Sequence, residues 1–233
     1  MNIFIPEIKL ASEYNGVEIL NECQKFIIRI IQKDTNASYI VSGWYSYAYL
    51  ALPSVLSVIK YKPHLMEKIT SLILLSSGID LTLDVNNFSP YKKQQEQDIF
   101  VAGSRVLMSL ASLYAQETNY DDLNPLIKYK KELNNLPRVD VVSGEYNVLL
   151  GDSIYLNYLL NRQISVCNLH LLQGQTHNII IIIKIMFVRV YSDTNVFRVS
   201  ERDGCLNFLR ALASICLIRS LVTSNCFPTS SRV

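Results

Sequence analysis

Three polar side chains of a reactive kind, Ser46, Asp152 and His177, each follow an apolar run that stops at a glycine. In a parallel sheet, the loops at the carboxyl ends of the strands hold ligands and catalytic groups. A serine, an acid and a histidine held together in such loops perform nucleophilic catalysis, in which the histidine takes the serine proton and the acid orients the histidine. The sequence therefore contains a candidate set of catalytic side chains, which the surrounding elements must bring together.

The spacing of the apolar residues predicts the elements that would position these side chains. Strands are predicted at residues 37–42, 69–76, 138–143 and 165–172, and helices at residues 17–33, from residue 47 onward and at 154–160. Residues 86–136 form a longer stretch of helical and polar character. Such alternation is typical of a mostly parallel sheet with flanking helices, so the predicted fold class is α/β.

The composition indicates a globular chain with little net charge. The 233 residues include 22 Lys and Arg against 20 Asp and Glu, a net charge of +2, and 49% of them are hydrophobic. This is enough apolar material for a core, and the charge argues against nucleic acid as a partner, since phosphate binding needs a concentrated basic patch. Motifs typical of nucleotide binding and of zinc proteases are missing from the sequence, so we expect no cofactor.

The cysteines and the apolar runs indicate the cellular compartment of the protein. The five cysteines, an odd number without C-x-x-C spacing, argue against a disulfide scaffold and against a zinc site. The N-terminal residues show no basic segment followed by an apolar stretch, and the most apolar run, Ile179–Val188, is shorter than the roughly 20 residues of a membrane span. We therefore expect a cytoplasmic protein without a membrane span or a metal site.

The order of these features resembles that of the α/β hydrolases, in which a strand, a serine turn and a helix are followed by an acid and then by a histidine. The resemblance covers residues 17–178, as the second half of such a domain, and implies that residues 82–136 are a lid-like helical insertion. It further implies hydrolysis of a small acyl ester or thioester through an acyl-enzyme on Ser46. His177 would be the base and Asp152 the acid.

The nucleophile motif of the family, G-x-S-x-G, fits the sequence in two frames. With Gly43 as the first glycine, Tyr45 takes the nucleophile position. A shift of one residue makes Ser46 the nucleophile, with Trp44 and Ala48 in place of the glycines. The first frame accounts better for the end of the predicted strand, whereas the second keeps a competent hydroxyl, and both stay open.

The acid position also leaves alternatives open. The usual acid of the family falls on Asn147, whose amide can orient an imidazole but cannot offset its charge. Asp152, and Asp80 after the second predicted strand, are the alternative acids. The resemblance therefore implies a degenerate catalytic triad.

The length of chain before Ser46 also departs from the pattern of the family. The family forms half of its oxyanion hole in a loop upstream of the nucleophile, and the 45 residues that precede Ser46 are largely taken up by one helix and one strand. The resemblance thus implies a truncated hydrolase with weak or no turnover. The alternative is a diverged, non-catalytic relative that binds a ligand or a partner, or that lacks a function.

Residues 179–233 differ from the hydrolase-like domain of residues 1–178 and are predicted to be an atypical C-terminal extension. They begin with five consecutive isoleucines and include a second apolar run at residues 206–221. Isoleucine runs favour strands and association. We therefore expect the chain to self-associate through this apolar C-terminal segment.

Overall fold

The structure, a computed structural model, describes residues 4–9, 11, 13–34, 36–81, 109, 111–116, 118–163 and 165–176. Within them lie four strands, β1 (Tyr39–Trp44), β2 (Ile69–Leu75), β3 (Arg138–Gly144) and β4 (Cys167–Leu172). The α-helices are α1 (Gly16–Lys33), α2 (Ser46–Tyr61), the short α3 (Tyr120–Leu123) and α4 (Pro125–Lys128), and α5 (Leu150–Asn161). Two 3-10 helices occupy Pro63–Lys68 and Glu132–Asn135.

The four strands form one parallel sheet in the order β1-β2-β3-β4. Because every pair is parallel, all four strands end at the same edge, where Trp44 pairs with Leu75 and Gly144 pairs with Leu172. Helix α2 lies between β1 and β2 in the chain, and α5 lies between β3 and β4. The loops after the strands therefore open together at the carboxyl edge of the sheet, as the sequence predicts.

The helices α2 and α5 pack on the sheet through one apolar cluster. Alternate strand residues face these helices, because side chains along a strand point to opposite faces in turn. The cluster includes Leu72, Leu74, Val139 and Val141 on the strands and Leu52, Val55, Leu56, Leu156 and Leu160 on the helices. These side chains are nearly inaccessible to solvent, so their burial holds both helices on the same face of the sheet.

Helix α1 begins at the boundary signal formed by Asn15 and Gly16. The Asn15 side chain accepts a hydrogen bond from the Glu18 N–H at 3.0 Å, and the Glu18 carboxylate accepts one from the Asn15 N–H at 3.1 Å. This reciprocal pair satisfies two N–H groups, of the kind that a helix start leaves without a backbone partner. The helix then packs against α2.

The predicted strands and helices are present, with shifted ends. β1 continues through Gly43 to Trp44, and α5 begins at Leu150, four residues earlier than the predicted helix. The observed ends differ from the predicted ones because the backbone hydrogen bonds of these elements include glycine and polar residues, which the spacing of apolar residues does not detect. Residues 82–108 and 177–233 lie outside the described residues, so the lid-like insertion and the C-terminal extension remain predictions.

The end of β1 and the start of α2 approach each other very closely at Gly43. A Cβ atom added to Gly43 would lie 2.4 Å from the Tyr47 carbonyl oxygen and 2.6 Å from Ala48 Cα. Both atoms belong to the backbone of α2, so they could not move aside without distorting the helix. Glycine is the residue that allows the strand to run this close.

Asp140, whose side chain is only 1% exposed, joins β3 to β4 through a polar cluster. It accepts two hydrogen bonds from the Arg138 guanidinium, at 2.8 and 3.0 Å. Asn168 Nδ2 and His170 Nε2 each donate another at 3.1 Å. Burial by itself raises the pKa of Asp140, but the hydrogen bonds from these three partners outweigh it and lower the pKa. The buried carboxylate is tolerated because it is fully paired.

We expect Gly43→Ala to lower the free energy of unfolding by about 3 kcal/mol, since the new methyl group overlaps the backbone of α2. Urea denaturation measures the change. Gly78→Ala is the matched control, because its added Cβ would first meet Leu149 Cδ1, a side-chain atom, at 3.3 Å. Equal destabilisation by the two substitutions would contradict the close approach at Gly43.

Asp140→Asn should destabilise the protein by about 2 kcal/mol at pH 7, because a charged partner of Arg138 is lost. The pKa of Asp140 is lower in the folded than in the unfolded chain, so its contribution is complete above about pH 4 and is lost as the pH falls through the folded-state value. The gap in stability between wild type and Asp140→Asn should therefore narrow in acid. Asp122→Asn, at an exposed position, is the control, and a gap that does not change with pH would count against this role.

Candidate active site

The turn between β1 and α2 consists of a single residue, Tyr45. Its backbone has φ 56° and ψ −120°, a conformation that costs a residue with a side chain about 1–3 kcal/mol. The Tyr45 N–H donates to the Leu75 carbonyl at 2.9 Å, and the Tyr45 carbonyl accepts from the Ala48 N–H at 3.0 Å, which holds the turn in place. A sharp, strained turn from strand to helix is the one that carries the nucleophile in the G-x-S-x-G elbow.

The backbone agrees with the frame in which Gly43 is the first glycine of the elbow motif. In that frame Tyr45 is at the tip, and Tyr47, whose side chain is half exposed, stands at the second glycine. Ser46 is the first residue of α2, so the strained conformation belongs to its neighbour. Ser46 therefore lies next to the tip of the turn, and its assignment as the nucleophile remains a prediction.

Asn147 follows the carboxyl end of β3 and is fully buried. Its side-chain amide donates to Ser143 Oγ at 2.9 Å, and its Oδ1 accepts from the Leu149 N–H at 2.9 Å. These bonds fix the amide at the position that the sequence resemblance assigns to the acid, and that assignment remains a prediction. An uncharged hydrogen-bonding group therefore occupies this position.

One alternative acid, Asp152, contacts the backbone of the loop after β2, which contains the other, Asp80. Asp152 is in the first turn of α5 and is 4% exposed, and its Oδ2 accepts from the N–H groups of Ile79 at 2.7 Å and Asp80 at 3.2 Å. The carboxylate thereby anchors this loop to α5. Whether Asp152 also serves as the catalytic acid remains a prediction, because His177 lies outside the described residues.

The loop after β4 is fastened to the loop after β3. Gly144 permits the contact, since a Cβ there would lie 2.3 Å from the Gln175 carbonyl oxygen. Three hydrogen bonds join the loops: Glu145 N–H to Leu172 O at 3.0 Å, Tyr146 N–H to Gln175 O at 2.8 Å, and Gly174 N–H to Glu145 Oε2 at 3.0 Å. The residues just before His177 are thus held at the loop that contains Asn147. His177 itself lies outside the described residues, so the structure gives no distance from it to Ser46 or to Asn147.

The sequence pattern did not predict the roles of two residues, Glu145 and Ser143, in holding the loops at this edge. Glu145 fastens the loops, and its place directly after Gly144 was an available signal. Ser143 supports Asn147, but a serine inside a predicted strand carries no mark of that contact. Both residues act on the loops, and neither belongs to the predicted catalytic set.

Of the tyrosines near the turn, Tyr49 belongs to the core. Its hydroxyl donates to the Leu123 carbonyl at 2.6 Å, and its ring meets that of Tyr114 edge to face, with centroids 5.4 Å apart. Burial raises the pKa of both phenols, so both stay neutral at physiological pH. These contacts attach α3 and Tyr114 to the start of α2.

The described residues contain no group of three or more His, Cys, Asp or Glu side chains arranged to hold a metal ion. The helices among them are too short or too polar to cross a membrane. Cys23 and Cys167 are buried free thiols, and burial raises their pKa to about 11 and about 12. Both thiols are therefore poor nucleophiles at neutral pH.

If the strain lies at residue 45, glycine should be favoured there over alanine. We expect Tyr45→Gly to be more stable than Tyr45→Ala by about 1 kcal/mol, because both remove the ring but only glycine adopts a φ of 56° without strain. Thermal unfolding of the two variants measures the difference. The same pair of substitutions at Ser46, a helical residue, should give the opposite order. A preference for alanine at residue 45 would be incompatible with the strained turn.

No protein-family model and no curated protein sequence matches the chain, but solved structures do. A hormone-sensitive lipase from a metagenome library is 21% identical, with a TM-score of 0.62 over 73% of this chain and 56% of that one. An esterase/lipase from an uncultured bacterium is 18% identical, with a TM-score of 0.61 over 73% of this chain and 55% of the other. A Pyrobaculum calidifontis esterase is 14% identical, with a TM-score of 0.63 over 73% and 56%.

The chain thus spans little more than half the length of the esterases and lipases that it matches. At these identities the likeness is one of fold. It agrees with the parallel sheet and its flanking helices. The chain therefore has the α/β-hydrolase fold, over part of the domain found in these esterases and lipases.

Proposed function

We propose that this chain is an esterase-like protein whose hydrolysis of small acyl esters or thioesters is weak or absent. The observation that carries the proposal is the positive φ of Tyr45, which supports a tyrosine at the tip of the elbow. A tyrosine oxygen is carried on a ring, well beyond the point at which a serine Oγ would stand. The strained turn typical of an esterase is present, but a tyrosine phenol stands at its tip in place of the serine hydroxyl that such a turn carries.

Asn147 supports the same proposal. During acyl transfer the histidine becomes positively charged, and a carboxylate at the acid position stabilises that charge. The buried Asn147 amide, held by Ser143 and Leu149, is uncharged. Positioned acid–base catalysis contributes about a hundred- to ten-thousandfold in rate, so the two replacements together leave little turnover. Binding of a ligand or a partner without turnover is the non-catalytic form of this proposal.

The second candidate function is slow hydrolysis through an acyl-enzyme on Ser46. It is favoured by the position of Ser46 at the first residue of α2, where the N–H groups of a helix start can bind an oxyanion. The Ser46 hydroxyl would attack the acyl carbon, His177 would take its proton, and the alcohol or thiol would leave before water releases the acid. Asp152 or Asp80 would orient His177.

A cytoplasmic location and self-association are further parts of the proposal, and both rest on the sequence. The five cysteines without disulfide spacing favour a reducing compartment. The isoleucines at residues 179–183 favour association through the C-terminal segment.

Release of p-nitrophenol from p-nitrophenyl butyrate by the purified chain tests the proposed function. We expect wild type and Ser46→Ala to react at the same slow rate, because neither has a serine at the tip of the elbow. Ser42→Ala, at an exposed serine of β1, is the matched control for loss of a hydroxyl near the turn. Rapid release that Ser46→Ala abolishes and Ser42→Ala retains would favour the Ser46 acyl-enzyme instead.

A further inference from the structure

We propose that the edge of the sheet opposite the Tyr45 turn binds the surface of a membrane that contains anionic lipids. Five exposed lysines gather at this edge, and we call them the lysine patch. They are Lys60, Lys62, Lys128, Lys130 and Lys131. The patch is separate from the candidate active site, so this binding does not depend on the proposed function.

Two segments that are distant in sequence form the lysine patch. One contributes Lys60, in the last turn of α2, and Lys62, which directly follows that helix. The other contributes Lys128, the last residue of α4, and the lysines that follow it, Lys130 and Lys131. Each segment leads into a 3-10 helix and from there to the start of a strand, β2 or β3. The patch therefore lies at the amino edge of the sheet, whereas the strained turn lies at the carboxyl edge.

The Tyr129 ring holds the two segments side by side. Lys60 Nζ lies 5.5 Å from the centroid of this ring, and Lys128 Nζ lies 5.8 Å from the same centroid. Tyr129 is buried in the apolar cluster that joins α2 and α5 to the sheet, and its hydroxyl accepts a hydrogen bond from Gln24 Nε2 of α1 at 3.2 Å. The positive charges are thus brought together by packing of the core, and not only by adjacency in sequence.

The described residues leave the positive charge of the lysine patch unpaired. None of its lysines forms an ion pair with a described carboxylate. The two segments, residues 60–62 and 128–132, contain five lysines and one acid, Glu132, which gives them a net charge of +4. Charges this close together add their attraction for an anionic surface, because they lie within a Debye length of it.

Helix ends account for only part of this charge. Lys60 and Lys128 lie in the last turns of their helices, where the helix dipole favours a cation. Lys62 and Lys131, in contrast, are the N-cap residues of the two 3-10 helices, where a dipole disfavours a cation. Local folding therefore does not explain these lysines, whereas an anionic partner does.

Two exposed side chains favour a lipid surface over a nucleic acid as that partner. Tyr61 is 58% exposed between two of the lysines, and Ile127, which is 55% exposed, directly precedes another. At a membrane surface, tyrosine rings lie among the headgroups and apolar side chains enter the boundary of the acyl chains. A single-stranded nucleic acid would stack on several aromatic faces, but Tyr129 is buried. The partner that fits is a membrane rich in an acidic phospholipid, such as the cytoplasmic leaflet of a cell membrane.

Flotation of the full chain with lipid vesicles tests the proposal, because protein that has only associated with itself does not float. Vesicles of phosphatidylcholine alone are compared with vesicles that also contain phosphatidylserine, at low and at high salt. We expect the chain to float with the phosphatidylserine vesicles and to be released by salt, which screens the attraction. Equal flotation with the two kinds of vesicle, including none with either, would overturn the proposal.

The variant Lys130→Gln/Lys131→Gln tests whether the lysine patch is responsible. Each lysine near an anionic surface strengthens binding about fivefold, so we expect this variant to bind phosphatidylserine vesicles about thirtyfold more weakly than wild type. Lys9→Gln/Lys25→Gln is the matched control, since it removes the same charge from two exposed lysines outside the patch. Thermal unfolding establishes that both variants are folded. If the two variants bind equally well, the patch is not the binding surface and the proposal is wrong.

Ile127→Ser distinguishes a lipid surface from other polyanions, because it leaves the charge unchanged. We expect it to weaken flotation with phosphatidylserine vesicles about fivefold, since less apolar surface is buried in the membrane. Binding of a fluorescent single-stranded oligonucleotide is measured in parallel and should be weaker than binding to vesicles at the same concentration of phosphate groups. Flotation of Ile127→Ser equal to that of wild type, or tighter binding of the oligonucleotide, would contradict a membrane as the partner.

Discussion

The close approach of β1 to α2 at Gly43 is the contact on which the rest of the site depends. A Cβ at this position would overlap the backbone of Tyr47 and Ala48, so the absence of a side chain at Gly43 allows the strand to turn into the helix within one residue. Tyr45 takes a positive φ as a consequence. The strain is sustained because α2 is fixed on the sheet by fully buried side chains such as Leu52 and Val55.

The parallel sheet places this turn at the same edge as the loops that follow the other strands. All four strands end at one edge, and contacts between distant segments then hold the loops that follow them. The Asp152 carboxylate anchors the loop after β2 to α5, and Glu145 ties the loop after β3 to Gly174. These anchors do not use the side chains of Tyr45 and Asn147. A chain can therefore change the side chains at Tyr45 and Asn147 and still keep the architecture of the edge.

The elements of the fold could be predicted because apolar spacing reports burial. The run at residues 69–76 became β2 with nearly the same bounds, and the glycine after the first run marked the approach to α2. The frame of the elbow could not be predicted, since the residue types fit both Tyr45 and Ser46 and only the backbone conformation distinguishes them. The contact of Asp152 with Ile79 joins residues 73 apart in sequence. No local pattern contains such information, so the anchoring contact of Asp152 could not be predicted from the sequence.

Peptide mass spectrometry of the wild-type chain after treatment with a fluorophosphonate tests most directly whether the elbow has lost its nucleophile, because it needs no knowledge of the ester substrate. We predict no adduct at residue 45 or residue 46, since the strained tip of the turn carries Tyr45 and Ser46 lies in the helix. A stoichiometric adduct on Ser46, absent from the Ser46→Ala variant, would contradict this prediction.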